Sequence, residues 1–315
     1  MRLKHFLMII FALIIVATLL QFDRALLIYS IRQIPMYVVI ILAALQILTQ
    51  LLLNVGWHQI ALASGVNCGF CQLLYINSQG AIVESFTPGL KIGGEITRMT
   101  QIIKTTKCSR QKALAIITLQ KLFSIGALVF CLVFVVGNFL GGAVLLFAYG
   151  IILCLLAFFG VLIFNPKGVK KFFDIIADDN RIYKGAKIKN YLHVVLSILE
   201  KMSFNKNIII FICFLFLIIW LLYPFKMYIL VSSFHIDVHI IYLSALTFFS
   251  YIVAMLPIFP GGLIGFEGTM FFFMQNMGLA IGTVAVITIF FRFITFWFVM
   301  IISLAYMVFW RIIVN

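Results

Sequence analysis

The sequence predicts an all-α polytopic integral membrane protein of about 7–8 transmembrane helices, with two broken or re-entrant elements drawn from an internal repeat. Three observations predict it. Of the 315 residues, 64% are hydrophobic and 10% charged, and the mean hydropathy is +1.20. A soluble domain carries about 45–50% apolar and about 25% charged residues, so this much apolar surface needs lipid around it. The apolar runs are near helix-spanning length and lack the in–out alternation over about 10 residues that a barrel strand requires. Between the runs lie two basic clusters, six Lys and Arg from Glu84 to Lys112 and nine from Asn165 to Lys206.

Taken in order, spans are expected at 6–22, 36–56, 112–136, 141–164, 207–225, 238–256 and 280–310. The run 6–22 follows Arg2, Lys4 and His5 and lacks a small-x-small cleavage site, so it is expected to be an uncleaved first span. Positive residues gather on the cytoplasmic side, which places the N-terminus and both basic clusters in the cytoplasm of a multi-pass cell-membrane protein. Two spans return the chain to the cytoplasm at Trp57, and the next two, joined by Gly137–Gly142, deliver the loop 165–206 there. The C-terminus is expected on the same side, with 257–279 crossing as a broken element. The basic residues flank spans and form no folded nucleic-acid module, so nucleic acid is not an expected partner. In the loop, Val169, Phe172, Phe173 and Ile176 recur at helical spacing, which predicts an amphipathic helix on the inner leaflet surface.

The stretch 60–94 is interrupted by glycines and Pro88, and 257–279 begins Pro257-Ile258-Phe259-Pro260-Gly261-Gly262. Pro88-Gly89-Leu90-Lys91-Ile92-Gly93-Gly94-Glu95 aligns without gaps to Pro260-Gly261-Gly262-Leu263-Ile264-Gly265-Phe266-Glu267, with five of eight positions identical. Thr97 matches Thr269, and each copy is followed by a cation in an apolar run: Lys121 comes 26 residues after Glu95, Arg292 25 after Glu267. The expected organisation is therefore one membrane domain, 1–315, with a first repeat near 36–136 and a second near 207–310. A helix beginning after each Pro-Gly break presents free N–H groups and a partial positive charge to an anion such as phosphate. Paired breaks of this kind point to a transporter binding site.

An ion at the bilayer centre costs at least about 2.5–3.5 kcal/mol, so Lys121, Glu267 and Arg292 are expected to face a polar cavity or each other. Glu267 with Arg292 reads equally as a structural bridge, and Glu95 with Arg98 as an exposed (i, i+3) pair. Cys68-Gly69-Phe70-Cys71 has redox spacing without a βαβ context, and His235-x-Asp237-x-His239 reads as interfacial polar anchors. No metal and no cofactor is expected, and there is no Gly-x-x-x-x-Gly-Lys-Ser/Thr loop for a nucleoside triphosphate.

Residues 77–125, with Pro88, Gly93-Gly94-Glu95, Arg98 and Leu119-Gln120-Lys121, resemble the transmembrane flippase domain of lysylphosphatidylglycerol synthases. The segment Leu256–Glu267 resembles that family's Pro-Gly-Gly-x-Gly-x-x-Glu signature, and the likeness covers nearly the whole chain. The resemblance implies transbilayer movement of an anionic or aminoacylated phospholipid, or of a polyprenyl-linked lipid. The substrate-binding residues it implies are Pro88, Gly93, Gly94, Glu95, Arg98, Lys121, Pro260, Gly261, Gly262, Gly265, Glu267 and Arg292. Gln120 stands where an acidic residue is common, which puts a local ion pair with Lys121 in doubt. No soluble aminoacyl-transfer domain follows Asn315, so aminoacyl transfer is not expected. A membrane-embedded lipid-modifying transferase, with Glu95 or Glu267 as acid or base, and a scaffold in lipid synthesis are the alternatives; a homo-oligomer or a lipid-synthesis partner stays open.

Overall fold

The computed structural model describes residues 32–87, 92–138, 141–178, 186–256 and 265–314, and the regular elements among them are helices. The expected span 6–22 lies outside the described residues, as do Pro88, Gly89, Pro260, Gly261 and Gly262. In chain order the helices are α1 (Met36–Ala63), α2 (Phe70–Phe86), α3 (Ile92–Thr106), α4 (Arg110–Val135), α5 (Gly142–Phe164) and α6 (Pro166–Asp178). They continue as α7 (Ala186–Ser203), α8 (Lys206–Ser232), α9 (Ile240–Met255), α10 (Gly265–Gln275), α11 (Ile281–Arg292) and α12 (Phe298–Val314). A π-helical turn, Phe293–Trp297, joins α11 to α12 without a break, so 281–313 forms one apolar rod.

Among the described residues, five helices are long and apolar enough to cross a bilayer: α1, α4, α5, α8 and the 281–313 rod. Even the 23 residues of α5 reach about 35 Å at 1.5 Å per residue, beyond the roughly 30 Å of hydrocarbon. These five match the expected spans 36–56, 112–136, 141–164, 207–225 and 280–310, and all but α5 are longer than expected. α8 does not stop at Phe225 as the sequence suggested; it carries Pro224 internally and continues to Ser232. Proline removes one backbone bond and crowds the preceding turn, but apolar packing on both sides holds the helix together.

The expected span 238–256 is corrected. Its helix, α9, has 16 residues and rises only about 24 Å. It pairs instead with the 11-residue α10. The Tyr242 hydroxyl near the start of α9 donates to the Phe273 carbonyl near the end of α10 at 3.3 Å. The two helices thus pack antiparallel, and the 11 residues of α10, about 17 Å long, are too few to cross on their own.

α2 and α3 make a second hairpin. Its arms touch through glycine: a Cβ on Gly94 would lie 2.6 Å from the Gly80 carbonyl oxygen, and one on Gly80 2.6 Å from the Arg98 side chain. α1 feeds this hairpin through Gly65, whose φ of +69° lets Val66 N–H reach back to the Ala61 carbonyl at 2.9 Å. Asn54 then ties the start of α2 to α1, donating to the Phe70 carbonyl at 3.0 Å and accepting from Asn77 at 2.9 Å.

α1 and α8 pack antiparallel. Lys226 of α8 meets Gln46 and Thr49 of α1, while Phe216 and Leu215 meet Gly56. Because each hairpin follows the C-terminal end of one of these helices, the two hairpins enter from opposite ends of the bundle.

Within the basic loop, the described residues form α6 and α7. The expected amphipathic helix is α6, with Phe172 exposed and Val169 and Phe173 against the core. α7 is more than a surface helix: Val195, Leu196, Ile198, Leu199 and Met202 are buried, and the Tyr191 hydroxyl hydrogen-bonds Thr118 of α4. Asp174 with His193 (2.9 Å) and Lys170 with Glu200 (3.9 Å) join α6 to α7.

Candidate functional site in the central cavity

Residues flanking the two hairpin tips line one cavity of about 420 Å³. α2 and α3 supply Glu84, Ser85, Glu95 and Arg98; α4 supplies Gln120, Lys121 and Ser124. Ala254, Met255 and Leu256 come from the end of α9, and Arg292 with Thr295 from the opposite rod. Gln50 of α1 and Trp220, Tyr223 and Tyr251 close the remaining wall.

The chain delivers each ion differently. Glu95 stands in the first turn of α3 and Glu267 in the first turn of α10, where the free N–H groups favour a carboxylate. Glu95 is in ion-pair contact with Lys121 of α4. This corrects two expectations: Glu95 does not pair with Arg98, and Lys121 has an acidic partner although Gln120 precedes it. Helix α4 turns Gln120 and Lys121 onto the same cavity, so the partner comes from the neighbouring hairpin rather than the adjacent position.

Arg98 reaches across its hairpin instead, with both terminal nitrogens 3.2 Å from Glu84 Oε2 and its guanidinium 5.7 Å from the Trp57 ring centroid. Arg292 Nε lies 3.1 Å from Glu267 Oε1. Its guanidinium is held between the rings of Phe266 (4.7 Å) and Phe296 (4.4 Å), and only 6% of the side chain is exposed. The π turn that begins one residue later widens the helix where Arg292 meets the cavity. Such turns recur at functional positions.

Of the sequence-predicted residues, Glu95, Arg98, Lys121 and Arg292 come together on the cavity wall. Glu267 stands outside the lining and holds Arg292. Gly93 and Gly94 do not face the cavity either; a Cβ on Gly93 would lie 2.4 Å from Thr87, so both serve the close packing of the hairpin. Gly265 packs near Val253, with 3.3 Å to a would-be Cβ. Pro88, Pro260, Gly261 and Gly262 lie outside the described residues.

Sequence reasoning missed Glu84, Trp220, Tyr223, Tyr251 and Lys226. Lys226 is wholly buried inside α8, where ending the span at Phe225 left it out. The signal was present, because Met227 through Val231 continue the apolar run beyond Pro224. Glu84 had no local signal; only the fold of the hairpin brings Arg98 back to it. His239 caps α9, accepting from the Ile241 N–H at 3.3 Å. Cys68 and Cys71 bracket Gly69, the cap of α2, as free thiols, the first buried and the second exposed.

A family model described as "Lysylphosphatidylglycerol synthase TM region" matches residues 6–303. A "UPF0104 membrane protein" of Methanothermobacter thermautotrophicus is 22% identical over 284 residues, covering 84% of this chain and 82% of that relative. No solved structure matches the chain.

Proposed function

The chain belongs to the lysylphosphatidylglycerol synthase transmembrane-region family, and from that premise we propose that it moves a phospholipid or polyprenyl-linked lipid across the bilayer without nucleotide hydrolysis. The observation that carries this reading is the cavity between two opposed hairpins, whose wall holds Arg98, Lys121 and Arg292 beside Glu84 and Glu95. Each of those cations is already held by a carboxylate. A phosphate entering the cavity offers them a second anionic partner, and charge-assisted hydrogen bonds of this sort are about twice as strong as neutral ones. A headgroup amine, where present, meets the carboxylates so released. Ile117, Ile125, Phe296 and Val299 complete the wall with surface suited to the first acyl carbons.

The same reading takes 36–136 and 207–310 as two copies of one repeat of inverted orientation. Supporting it are the recurrence of a long helix, a hairpin and a long helix in each half, and the antiparallel packing of α1 on α8. It keeps the N-terminus, the basic helices α6 and α7 and the C-terminus in the cytoplasm, with the α2–α3 hairpin opening there and the α9–α10 hairpin opening outside.

The test is reconstitution into liposomes with fluorescent phosphatidylglycerol and other labelled lipids. The wild-type protein is expected to accelerate exchange between leaflets. Lys121→Met or Arg292→Met is expected to slow it by roughly 10- to 100-fold, the rate equivalent of about 1.5–3 kcal/mol for one lost hydrogen bond to a charged group. No acceleration over empty liposomes with any headgroup overturns the proposal.

A further inference from the structure

Every cation on the cavity wall touches a carboxylate, but Lys226 is served differently. Its amine is fully buried, donates to Gln46 Oε1 and to Thr49 Oγ1 (3.2 Å), and lies 4.4 Å from the Tyr223 ring centroid. Thr49 cannot donate in return, because its hydroxyl hydrogen is committed to the Leu45 carbonyl at 2.7 Å. Gln46 is just as buried, and its Nε2 has no partner. Among the described residues, then, the contacts of Lys226 are two neutral acceptors and one aromatic face, with no carboxylate.

The position of Lys226 matters as much as its partners. Tyr223 and Gln50 both line the cavity. Gln50 is one helical turn, about 6 Å, beyond Gln46 on α1. Lys226 therefore sits directly behind the cavity wall, joined to it by the polar stripe Gln46–Thr49–Gln50 and by the Tyr223 ring. The titratable groups around it are few. Tyr223 lies on the same helix, and the ring of Tyr251 of α9 packs against it, tilted by 59° with centroids 4.7 Å apart. Glu84 of α2, Lys121 of α4 and Arg292 at the end of α11 line the adjoining cavity. α1 presents Gln46 and Thr49 there, and α7 runs into the start of α8 at Lys206 through the turn at 203–206.

Holding a compact, strongly hydrated ammonium in such a place carries a desolvation penalty that neutral partners offset only in part. An anion in the adjoining cavity changes that balance, because its attraction acts through a wall of low dielectric. The geometry points to Lys226 as the proton-binding group of a proton-coupled lipid transporter, charged while an anionic headgroup occupies the cavity and discharged when the headgroup leaves. This inference rests on the lipid-moving role proposed above. One proton from water on one side of the membrane binds the Nζ lone pair, accompanies one phosphate anion, and returns to water on the other side. Only an N–H bond forms and breaks.

The experiment uses the full chain in vesicles of phosphatidylcholine and phosphatidylglycerol. They carry acyl-labelled fluorescent phosphatidylglycerol and a trapped pH-sensitive dye. At one proton per lipid, a one-unit pH gradient sustains up to about a tenfold asymmetry of the label between leaflets. The dye is expected to report proton entry only with protein and anionic lipid present. Lys226→Met and Lys226→Gln are expected to exchange lipid without regard to the gradient and to pass no lipid-dependent proton current. Wild-type protein that exchanges lipid yet leaves the label evenly distributed, with no dye response, overturns proton coupling and leaves the lipid-moving role standing. Wild-type protein that exchanges no lipid overturns both. The wild-type arm decides the matter even where a variant fails to fold.

Discussion

Removing the Glu267 carboxylate separates structural from functional roles most directly. Breaking a fully buried ion pair by deleting one partner costs about 3–5 kcal/mol, because the remaining charge is left uncompensated. The Glu267 side chain is 27% exposed, which lowers that figure, and Arg292 keeps the faces of Phe266 and Phe296. A desolvated cation–π contact is worth about 2 kcal/mol at most. Glu267→Gln, which keeps the shape and a neutral acceptor, is therefore expected to destabilise the fold by about 2 kcal/mol. At about 2–4 °C per kcal/mol for chains of a few hundred residues, the midpoint falls by about 4–8 °C. Melting of the purified protein in detergent, followed by tryptophan fluorescence, measures it. The double variant Glu267→Leu with Arg292→Met replaces the pair by apolar groups and is expected to regain the loss, since such replacements are neutral or stabilising. Its lipid exchange should nevertheless stay slowed by roughly 10- to 100-fold, because the cavity has then lost Arg292 and keeps only Arg98 and Lys121. A Glu267→Gln protein that melts with the wild type, or a double variant that melts below the single one, refutes the reasoning.

Other perturbations test the remaining parts. Gly94→Ala drives a Cβ to 2.6 Å from the backbone oxygen of Gly80, so it is expected to cost about 1–3 kcal/mol and to loosen the α2–α3 hairpin, read as a lower midpoint and faster proteolysis. Lys121→Met removes a pair whose lysine side chain is 40% exposed; it should change stability by no more than about 1 kcal/mol while abolishing most lipid exchange. Tyr191→Phe deletes the Thr118 hydrogen bond and is expected to cost about 1 kcal/mol, leaving exchange intact. Cysteines placed singly at Lys171 and at Gln275, in a chain cleared of its own thiols, test the orientation. An impermeant maleimide added to intact cells should label the second and spare the first.

The long helices were legible because their signal is local: unbroken apolar runs such as Leu145–Phe164 need no partner to declare themselves. The hairpins were legible only as irregularities. Glycines and prolines announced a break at 60–94 and 257–279, but whether the chain crosses or returns depends on packing such as Tyr242 against Phe273, which no local pattern contains. The site was half visible for the same reason. Lys121, Glu267 and Arg292 stood out as charges in or beside apolar sequence and Glu95 through the repeat, whereas Glu84 gained its meaning from Arg98 folded back across a glycine contact. Gly93 and Gly94 were expected to bind substrate because the family resemblance implied it. They turn instead into the hairpin's own seam.

The spacing of the ion pairs bears on how the chain is made. Glu84 and Arg98 are 14 residues apart. Glu95 precedes Lys121 by 26, and Glu267 precedes Arg292 by 25. Each carboxylate therefore emerges from the ribosome shortly before its own neutraliser, and each charge is cancelled within a unit of one or two helices. Lys226 follows Gln46 by 180 residues, so its neutral acceptor is already made when it arrives. An inserting chain arranged this way seldom has to hold a lone charge among the lipid tails, and the cavity's ions reach the membrane already matched.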